Sequence, residues 1–271
     1  MKSKFLLGCI ALSTLFVISC EKSSEVPTAD SDQAITNVTI NATEAQDALA
    51  SVEELENELL EARDNGTCPT ISSTQPRGSF PNVVTIDFGS GCLTKSGRYH
   101  SGQIIVEQSD SMSHNGALRK TTFVNFGIDS FRVKNGVITL SNEGKDADSN
   151  HKFSRKISGI TVNGPKGTLT LEASHTSTQI EGGLTPGTAD DIWKITGETK
   201  GSTEDKIVFS STITDPLVRK GNCPYLVSGQ EEFLRKGHTV QVNYGDGSCD
   251  RFAKATTENG KSFVIILRNR F

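Results

Sequence analysis

The sequence has no excess of basic residues and contains few aromatic ones. Its 28 Lys and Arg residues are outnumbered by 32 Asp and Glu residues, which gives a formal net charge of −4. Nucleic acids and acidic membrane surfaces attract basic proteins, so neither is expected as the main partner. Aromatic residues make up 6% and hydrophobic residues 34% of the 271 positions. This composition still allows a hydrophobic core, and it excludes collagen-like, wholly disordered and polytopic membrane proteins.

The motifs of several enzyme classes are also missing. There is no Gly-x-Ser-x-Gly, no His-Glu-x-x-His, no P-loop and no dinucleotide-binding glycine pattern. The histidines are scattered and no Cys-x-x-Cys pair occurs, so no metal site is indicated. We therefore expect no catalytic residue, no cofactor and no metal, and we predict that the protein is not an enzyme.

Carboxylates occur, but not in the patterns that hydrolysis or calcium binding requires. Four of them could form a glycosidase-like pair, but their spacing selects no two, and we expect them to be solvated: Glu107, Asp110, Glu172 and Glu181. The segment from Asp146 to Asn150 begins like a calcium loop but lacks the later Gly and Glu. A second group could hold a cation, although turn hydrogen bonds within a hairpin are favoured there: Asn243, Asp246, Ser248 and Asp250.

The N-terminus has the pattern of an export signal. Lys2 and Lys4 precede the apolar stretch Phe5–Ile18, which is too short to span a bilayer comfortably. The stretch ends in Val-Ile-Ser-Cys20, which resembles a bacterial lipobox. The resemblance implies that residues 1–19 are a lipoprotein signal peptide and that Cys20 carries acyl chains of the palmitate type. It places the protein in the bacterial cell envelope, attached to the outer membrane through this lipid anchor. The alternative is an ordinary secretory signal.

Residues 20–66 are predicted to form a disordered tether followed by one helix. Residues 20–42 are rich in polar residues and predict the lipid-anchored tether. Residues 43–66 predict the helix, because Thr43 and Gln46 match a capping box and Asn65-Gly66 is a stop signal. Apolar residues recur along one side of it: Ala45, Ala48, Val52, Leu55, Leu59 and Ala62. We expect this side to dock on the main domain, rather than form a coiled-coil stalk, and the acidic side to be solvated.

Residues 67–271 are predicted to form one all-β domain. Val84, Ile86 and Phe88 alternate with more polar neighbours, and similar runs continue to Leu267, separated by turn residues such as Asn135-Gly136. The short connections favour an antiparallel meander of about ten to twelve strands. The pattern leaves open whether the sheet is a half-barrel, a barrel or a sandwich.

A repeated segment brackets this domain. Cys68-Pro-Thr-Ile precedes a strand that ends in Phe-Gly-Ser-Gly-Cys92, and Cys223-Pro-Tyr-Leu precedes one that ends in Tyr-Gly-Asp-Gly-Ser-Cys249. Four cysteines remain once Cys9 and Cys20 are set aside, and they allow three pairings. The repeat favours the disulfides Cys68–Cys92 and Cys223–Cys249. The alternative is that these cysteines stay reduced.

The lipobox, the polar tether and the stretches Thr85–Cys92 and Asn243–Asp250 together resemble uncharacterised lipoproteins of Bacteroidota. The resemblance extends over most of the region from Cys68 to Leu267, and it implies an envelope location and the all-β fold. It assigns no activity, cofactor or catalytic residue. A separate match, Asp110-Ser111-Met112, resembles the O-glycosylation signal of exported Bacteroidota proteins, and it lies in a polar stretch where an exposed turn is expected.

These features predict a membrane-anchored, non-enzymatic binding or structural module whose protein or glycan partner is unknown. One alternative is a carrier of an apolar ligand in a half-barrel cavity. Another is a glycan-binding or glycan-processing accessory protein, for which Tyr99 and His100 are candidate exposed sugar contacts. Trp193 is expected in the core or at an interface, because Ile192 and Ile195 flank it.

Overall fold

The structure is a computed structural model that describes residues 29–61, 68–185, 187–268 and 270. The predicted signal peptide, Cys20 and Asn65-Gly66 lie outside these residues. The described part contains one helix, α1 (Ala29–Glu61), and fifteen strands. None of its helices is both long and apolar enough to cross a bilayer.

The strands follow one another along the chain from residue 70 onward. They are β1 (Thr70–Ser73), β2 (Asn82–Asp87), β3 (Cys92–Leu93), β4 (Tyr99–Gln108), β5 (Leu118–Ile128), β6 (Phe131–Lys134), β7 (Val137–Lys145), β8 (His151–Gly164), β9 (Gly167–Glu181), β10 (Ile192–Thr203), β11 (Val208–Lys220), β12 (Leu226–Arg235), β13 (His238–Asp246), β14 (Phe252–Thr257) and β15 (Ser262–Ile266).

All fifteen strands belong to one antiparallel sheet, which confirms the predicted all-β meander with one N-terminal helix. Sequential strands are neighbours along the sheet, except that β3 pairs only with β4 and that β6 and β7 both lie between β5 and β8. There are more strands than the predicted ten to twelve because β1, β3 and β6 have only four, two and four residues. Segments this short are hard to recognise from alternation.

Local sequence explains the strands and their turns. In β2 the buried positions alternate with half-buried ones, and Ile86 faces Ile104 of β4 in a fully buried cross-strand pair. Asn135 and Gly136 connect β6 to β7 with φ angles of 56° and 65°, the left-handed conformations that a tight hairpin turn requires.

The sheet curls around α1. Arg119 of β5 and Arg219 of β11 both reach residues of the same part of the helix, Asn57 and Glu54. These strands are five positions apart in the sheet, which corresponds to about 24 Å if the sheet were flat. A helix is only about 10–12 Å wide. The sheet must therefore curve to bring both strands to one turn of the helix.

The helix begins earlier than predicted. Residues 29–42 are helical, so the predicted tether is too long, and Thr43 lies inside the helix instead of capping it. The apolar side continues backwards through Ala42, Val38 and Ile35, all of which are buried. Packing against the sheet stabilises this segment even though its polar composition is typical of disorder. The predicted docking of the apolar side is confirmed from Ala45 to Leu59, and Ala62 is outside the described residues.

Two disulfides close hairpins at the bracketing repeats. Cys68 is bonded to Cys92 and Cys223 to Cys249, which is the pairing that the repeat predicts. The first bond joins the ends of the β1–β2 hairpin, and the second joins the ends of the β12–β13 hairpin.

Candidate functional site

The acidic side of α1 is buried, so the prediction that it is solvated is wrong. Asp47 is only 3% exposed and Glu56 only 2%. An arginine pairs with each of four carboxylates. Arg155, Arg119 and Arg219 of the sheet pair with Glu53 (3.3 Å), Glu56 (3.7 Å) and Glu54, and Arg270, which follows β15, pairs with Asp47 (2.6 Å). Buried carboxylates require such partners because removing a charge from water is costly. The periodicity of the helix could not reveal these arginines, since they come from distant parts of the chain.

A cavity of about 230 Å³ lies between this side of the helix and the inner face of the sheet. The helix contributes Gln46, Ala50, Glu53, Glu54 and Asn57 to its wall. Asn57 is the exposed member of the lining, so we place the mouth of the cavity beside it.

The sheet side of the cavity is built from rows of residues that face one another across neighbouring strands. The cationic row, as we name it, runs from Arg119 through Leu140 and Arg155 to His175. A second row, which we name the apolar row, begins at Phe153, two residues before Arg155 in β8. It runs through Ser177 and Ile195 to Leu217. Successive inward positions on a strand are about 7 Å apart, so the two rows lie side by side.

Trp193 completes the wall next to the apolar row. It pairs across strands with Arg219, and the Arg219 guanidinium lies 5.6 Å from the centre of the Trp193 ring. The centre of the Phe153 ring, on β8, lies 5.8 Å from the centre of the Trp193 ring. Trp193 is half-buried, so the core-or-interface prediction agrees with its position at the edge of this cavity.

Burial changes the protonation of the groups in and behind the wall. Burial raises the pKa of Glu56 to about 7, although Arg119 opposes this shift. Burial likewise raises the pKa of Glu54 against the effect of Arg219. Burial, followed by the charges of Arg155 and Arg270, lowers the pKa of His175 to about 4. Glu54 and Glu56 are therefore protonated more readily than exposed carboxyl groups, which weakens them as counter-ions. His175 is neutral at neutral pH.

Glu231 and Tyr244 form the inner end of the cavity. The Tyr244 hydroxyl donates to Oε2 of Glu231 at 2.8 Å, and Nε2 of Gln46 donates to Oε1 at 3.5 Å. Glu231 is 1% exposed and burial raises its pKa. The cavity wall thus includes a buried carboxyl group whose pKa burial raises, while the hydrogen bonds that it accepts oppose this shift.

One arginine in the wall has donor capacity to spare. Nε of Arg119 is buried and has no hydrogen-bond acceptor among the described residues, whereas Nε of Arg155 lies 3.3 Å from Oε2 of Glu53. Other nitrogens of the same groups are held in place, since Arg119 donates to Oδ1 of Asn57 at 2.7 Å and Arg155 to the Leu49 carbonyl at 3.0 Å. Both guanidinium groups are therefore fixed in the wall of the cavity, and that of Arg119 keeps one unpaired N–H.

The sequence-predicted sites lie apart from this cavity, with one exception. Ser111 lies in the β4–β5 connection, as predicted, and its neighbour Met112 lines the cavity. Cys20 is outside the described residues. His100, proposed as an exposed sugar contact, is 1% exposed and stacks on both Phe88 and Phe126, so that prediction is wrong. Tyr99 is exposed, and its hydroxyl donates to the Ser90 carbonyl.

The candidate cation loops are closed by their own backbone. Asp246 and Asp250 accept hydrogen bonds from the amides of Ser248 and Phe252, as the turn interpretation predicts. Asp146 likewise accepts from the amides of Asp148 and Asn150. Within the described part of the chain no three His, Cys, Asp or Glu residues are grouped as metal ligands.

Sequence reasoning missed the cavity, although a signal was present. Arg155 and Arg219 occupy inward positions of their strands, two residues from Phe153 and Leu217. A charged residue among the inward apolar positions of a strand needs a partner inside the fold.

Comparison of the chain with protein-family models, curated proteins and solved structures found no match.

Proposed function

We propose that this protein is a lipid-anchored envelope module that binds a small ligand in the cavity between α1 and the sheet, without transforming it. The observation that carries the proposal is the lining, in which aromatic side chains and fixed arginines surround one cavity. Ligand sites combine an apolar wall with a few fixed polar groups in this way.

The size of the cavity argues for a small ligand instead of a long acyl chain. Its volume of about 230 Å³ is below the roughly 300–1,000 Å³ of pockets that hold drug-sized molecules. The helix occupies the rest of the interior, and its side chains are packed against the sheet. A ligand about the size of one ring with a short substituent suits this space better than a lipid.

The only tryptophan of the chain provides a direct test. Because Trp193 lines the cavity, its fluorescence should change and saturate as a ligand enters. We would titrate the mature protein with 3-phenylpropionate, 3-phenyl-1-propanol, D-glucose and dodecanoate, exciting at a wavelength that only tryptophan absorbs. A saturable change is expected with at least one of the first two compounds and not with dodecanoate.

A matched pair of variants distinguishes the cavity from the surface. Ser177→Phe fills the middle of the apolar row and should abolish the response, whereas Ser174→Phe, on the exposed face of the same strand, should retain it. Thermal melting of both variants shows that they are folded. No saturable response to any compound, or an unchanged response in Ser177→Phe, would contradict the proposal.

The lipid anchor is tested independently. Cys20→Ala should remove the lipid and move the protein from the membrane fraction to the soluble envelope fraction. Cys9→Ala, which changes the other cysteine of the signal region, should leave fractionation unchanged. Membrane association of Cys20→Ala equal to that of the native chain would refute the anchor.

Glycosylation of Ser111 is a further part of the proposal. Ser111→Ala should remove a mass increment from protein isolated from its native host, whereas Ser113→Ala, outside the three-residue signal, should not. An intact mass that includes only the lipid would count against it.

A further inference from the structure

We propose that the ligand of the cavity is an organic monoanion with an apolar body, its anionic group bound at the cationic row and its body lying on the apolar row. This inference rests on the proposed function, because it names the ligand class of the same cavity.

The first argument is hydrogen bonding. Arg119 and Arg155 line the cavity, and Nε of Arg119 is buried with no acceptor among the described residues. An unsatisfied buried donor costs roughly 1–3 kcal/mol, which an acceptor supplied by a ligand would recover. Guanidinium groups present their N–H donors in a planar fork, and this fork matches a carboxylate.

The second argument is charge. Four arginines and four carboxylates line the cavity: Arg119, Arg155, Arg219, Arg270, Asp47, Glu53, Glu54 and Glu231. Glu231 has no arginine partner among the described residues, and burial raises its pKa, while each of the four arginines pairs with one carboxylate. The counter-ion of Arg119 is Glu56, at 3.7 Å, whose pKa of about 7 leaves it partly protonated at neutral pH. A ligand anion would therefore supply beside Arg119 the negative charge that Glu56 loses when it is protonated.

The third argument is geometry. Arg119 and Arg155 face Leu140 from its two sides across neighbouring strands, so their Cα atoms are separated by about 10 Å, two strand spacings. The apolar row begins two residues away at Phe153 and continues to Leu217. An anion held between the arginines would place a body of about one ring against Phe153, Ile195 and Trp193.

The arginines are also held in position before a ligand arrives. Asn57 and Glu56 restrain Arg119, while Glu53 and the Leu49 carbonyl restrain Arg155. Restrained side chains lose little conformational entropy on binding, so more of the interaction is available as affinity.

The test compares 3-phenylpropionate with 3-phenyl-1-propanol, two molecules of nearly equal shape of which only the first is charged at neutral pH. Their dissociation constants would be measured on the mature protein by Trp193 fluorescence and by calorimetry. We expect the anion to bind at least about ten-fold more tightly than the alcohol, since hydrogen bonds between charged groups are about twice as strong as neutral ones.

Variants assign this preference to the cationic row. Arg155→Gln and Arg119→Gln should each reduce the preference for the anion by about ten-fold while changing binding of the alcohol little. Lys156→Gln and Lys120→Gln remove the same charge from the exposed face of the same strands and should leave the preference unchanged. Arg155→Lys, which keeps the charge but loses the fork, should give an intermediate value.

The possible results distinguish the inferred ligand class from the proposed binding function. Equal binding of both compounds to the native chain would overturn the inference while the proposed function stands. Binding of neither compound would overturn both. A preference that persists in both arginine variants, with melting showing that they are folded, would remove the cationic row from the site. The native-chain comparison decides the ligand class even if a variant fails to fold.

Discussion

The two disulfide-closed hairpins share a sequence pattern but differ in what they do. In each, an inward aromatic residue follows an alternating strand and precedes a Gly-x-Gly turn and a cysteine: Phe88 in the first hairpin and Tyr244 in the second. Both side chains are buried, at 2% and 3% exposure. The backbone pattern is thus used twice to deliver an aromatic side chain to the interior.

Their surroundings separate them. Phe88 lies in an aromatic cluster, with ring centres 5.2 Å from His100 and 6.1 Å from Phe126. Tyr244 carries a hydroxyl group, which donates to Glu231 at the inner end of the cavity. One hairpin is therefore a packing element and the other also contributes a polar group to the candidate site. A repeated motif specifies the scaffold, whereas its inward side chains decide whether it forms part of a site.

The largest expected effect comes from removing each disulfide in turn. The bonds close segments with sequence separations of 24 and 26, so Cys68→Ser/Cys92→Ser and Cys223→Ser/Cys249→Ser should each cost about 3 kcal/mol. For a domain of this size we expect melting temperatures to fall by roughly 6–12 °C. Only the second double variant should also weaken the Trp193 response to 3-phenylpropionate. Equal loss of binding in both would show that the hairpins do not differ in this respect.

The buried groups that contact Phe88 and Tyr244, His100 and Glu231, should respond to pH with opposite sign. Burial, then Arg98, lowers the pKa of His100 from 6.5 to about 4, so its contribution to stability is lost as pH falls through this window, by up to about 3 kcal/mol. Burial raises the pKa of Glu231 above 4.5, so its contribution is lost as pH rises above that value. Melting curves between pH 4 and 8 should show that His100→Gln removes the loss of stability at low pH. Glu231→Gln should remove the loss of stability as the pH rises. An unchanged pH profile in either variant would be inconsistent with this account.

Exchanging the aromatic residues gives a smaller effect. Phe88→Tyr places a hydroxyl group inside the cluster of Phe88, His100 and Phe126, where aromatic carbon dominates the surroundings. A buried hydroxyl without a partner costs roughly 1–3 kcal/mol. Urea unfolding should report this loss, and ligand binding should stay unchanged. Native-like stability would show that the cluster can satisfy the hydroxyl group.

The smallest effect is expected from the reverse change. Tyr244→Phe removes the hydrogen bond to Glu231 but keeps the ring, so the free energy of unfolding should fall by about 1 kcal/mol. Losing this donor should also raise the pKa of Glu231 further, because the hydrogen bond stabilises its charged form. The pH dependence of melting would measure that shift. A loss of stability larger than that of Phe88→Tyr would reverse the assignment of the two hairpins.

Parts of the fold could be predicted because their signals are local. Alternation in segments such as Val84–Phe88 predicts strands, and the spacing from Ala45 to Leu59 predicts a helix that docks by its apolar side. The start of the helix could not be found in the same way. Residues 29–42 have the composition of a disordered segment, and only contacts with the sheet make them helical.

The sequence by itself determined the all-β class, the docking side of the helix and the pairing of the four cysteines, because each follows from a short-range period or from a repeat that can be read along the chain. Only the tertiary structure decided the curl of the sheet and the cavity. Arg119 and Arg219 are 62 and 165 residues away from the helix residues that they contact. Such pairs carry no periodic signal, since they depend on how several strands bend around one helix. The same curvature turned an acidic helix face that looked solvated into a buried wall, where burial and arginine partners now set its chemistry.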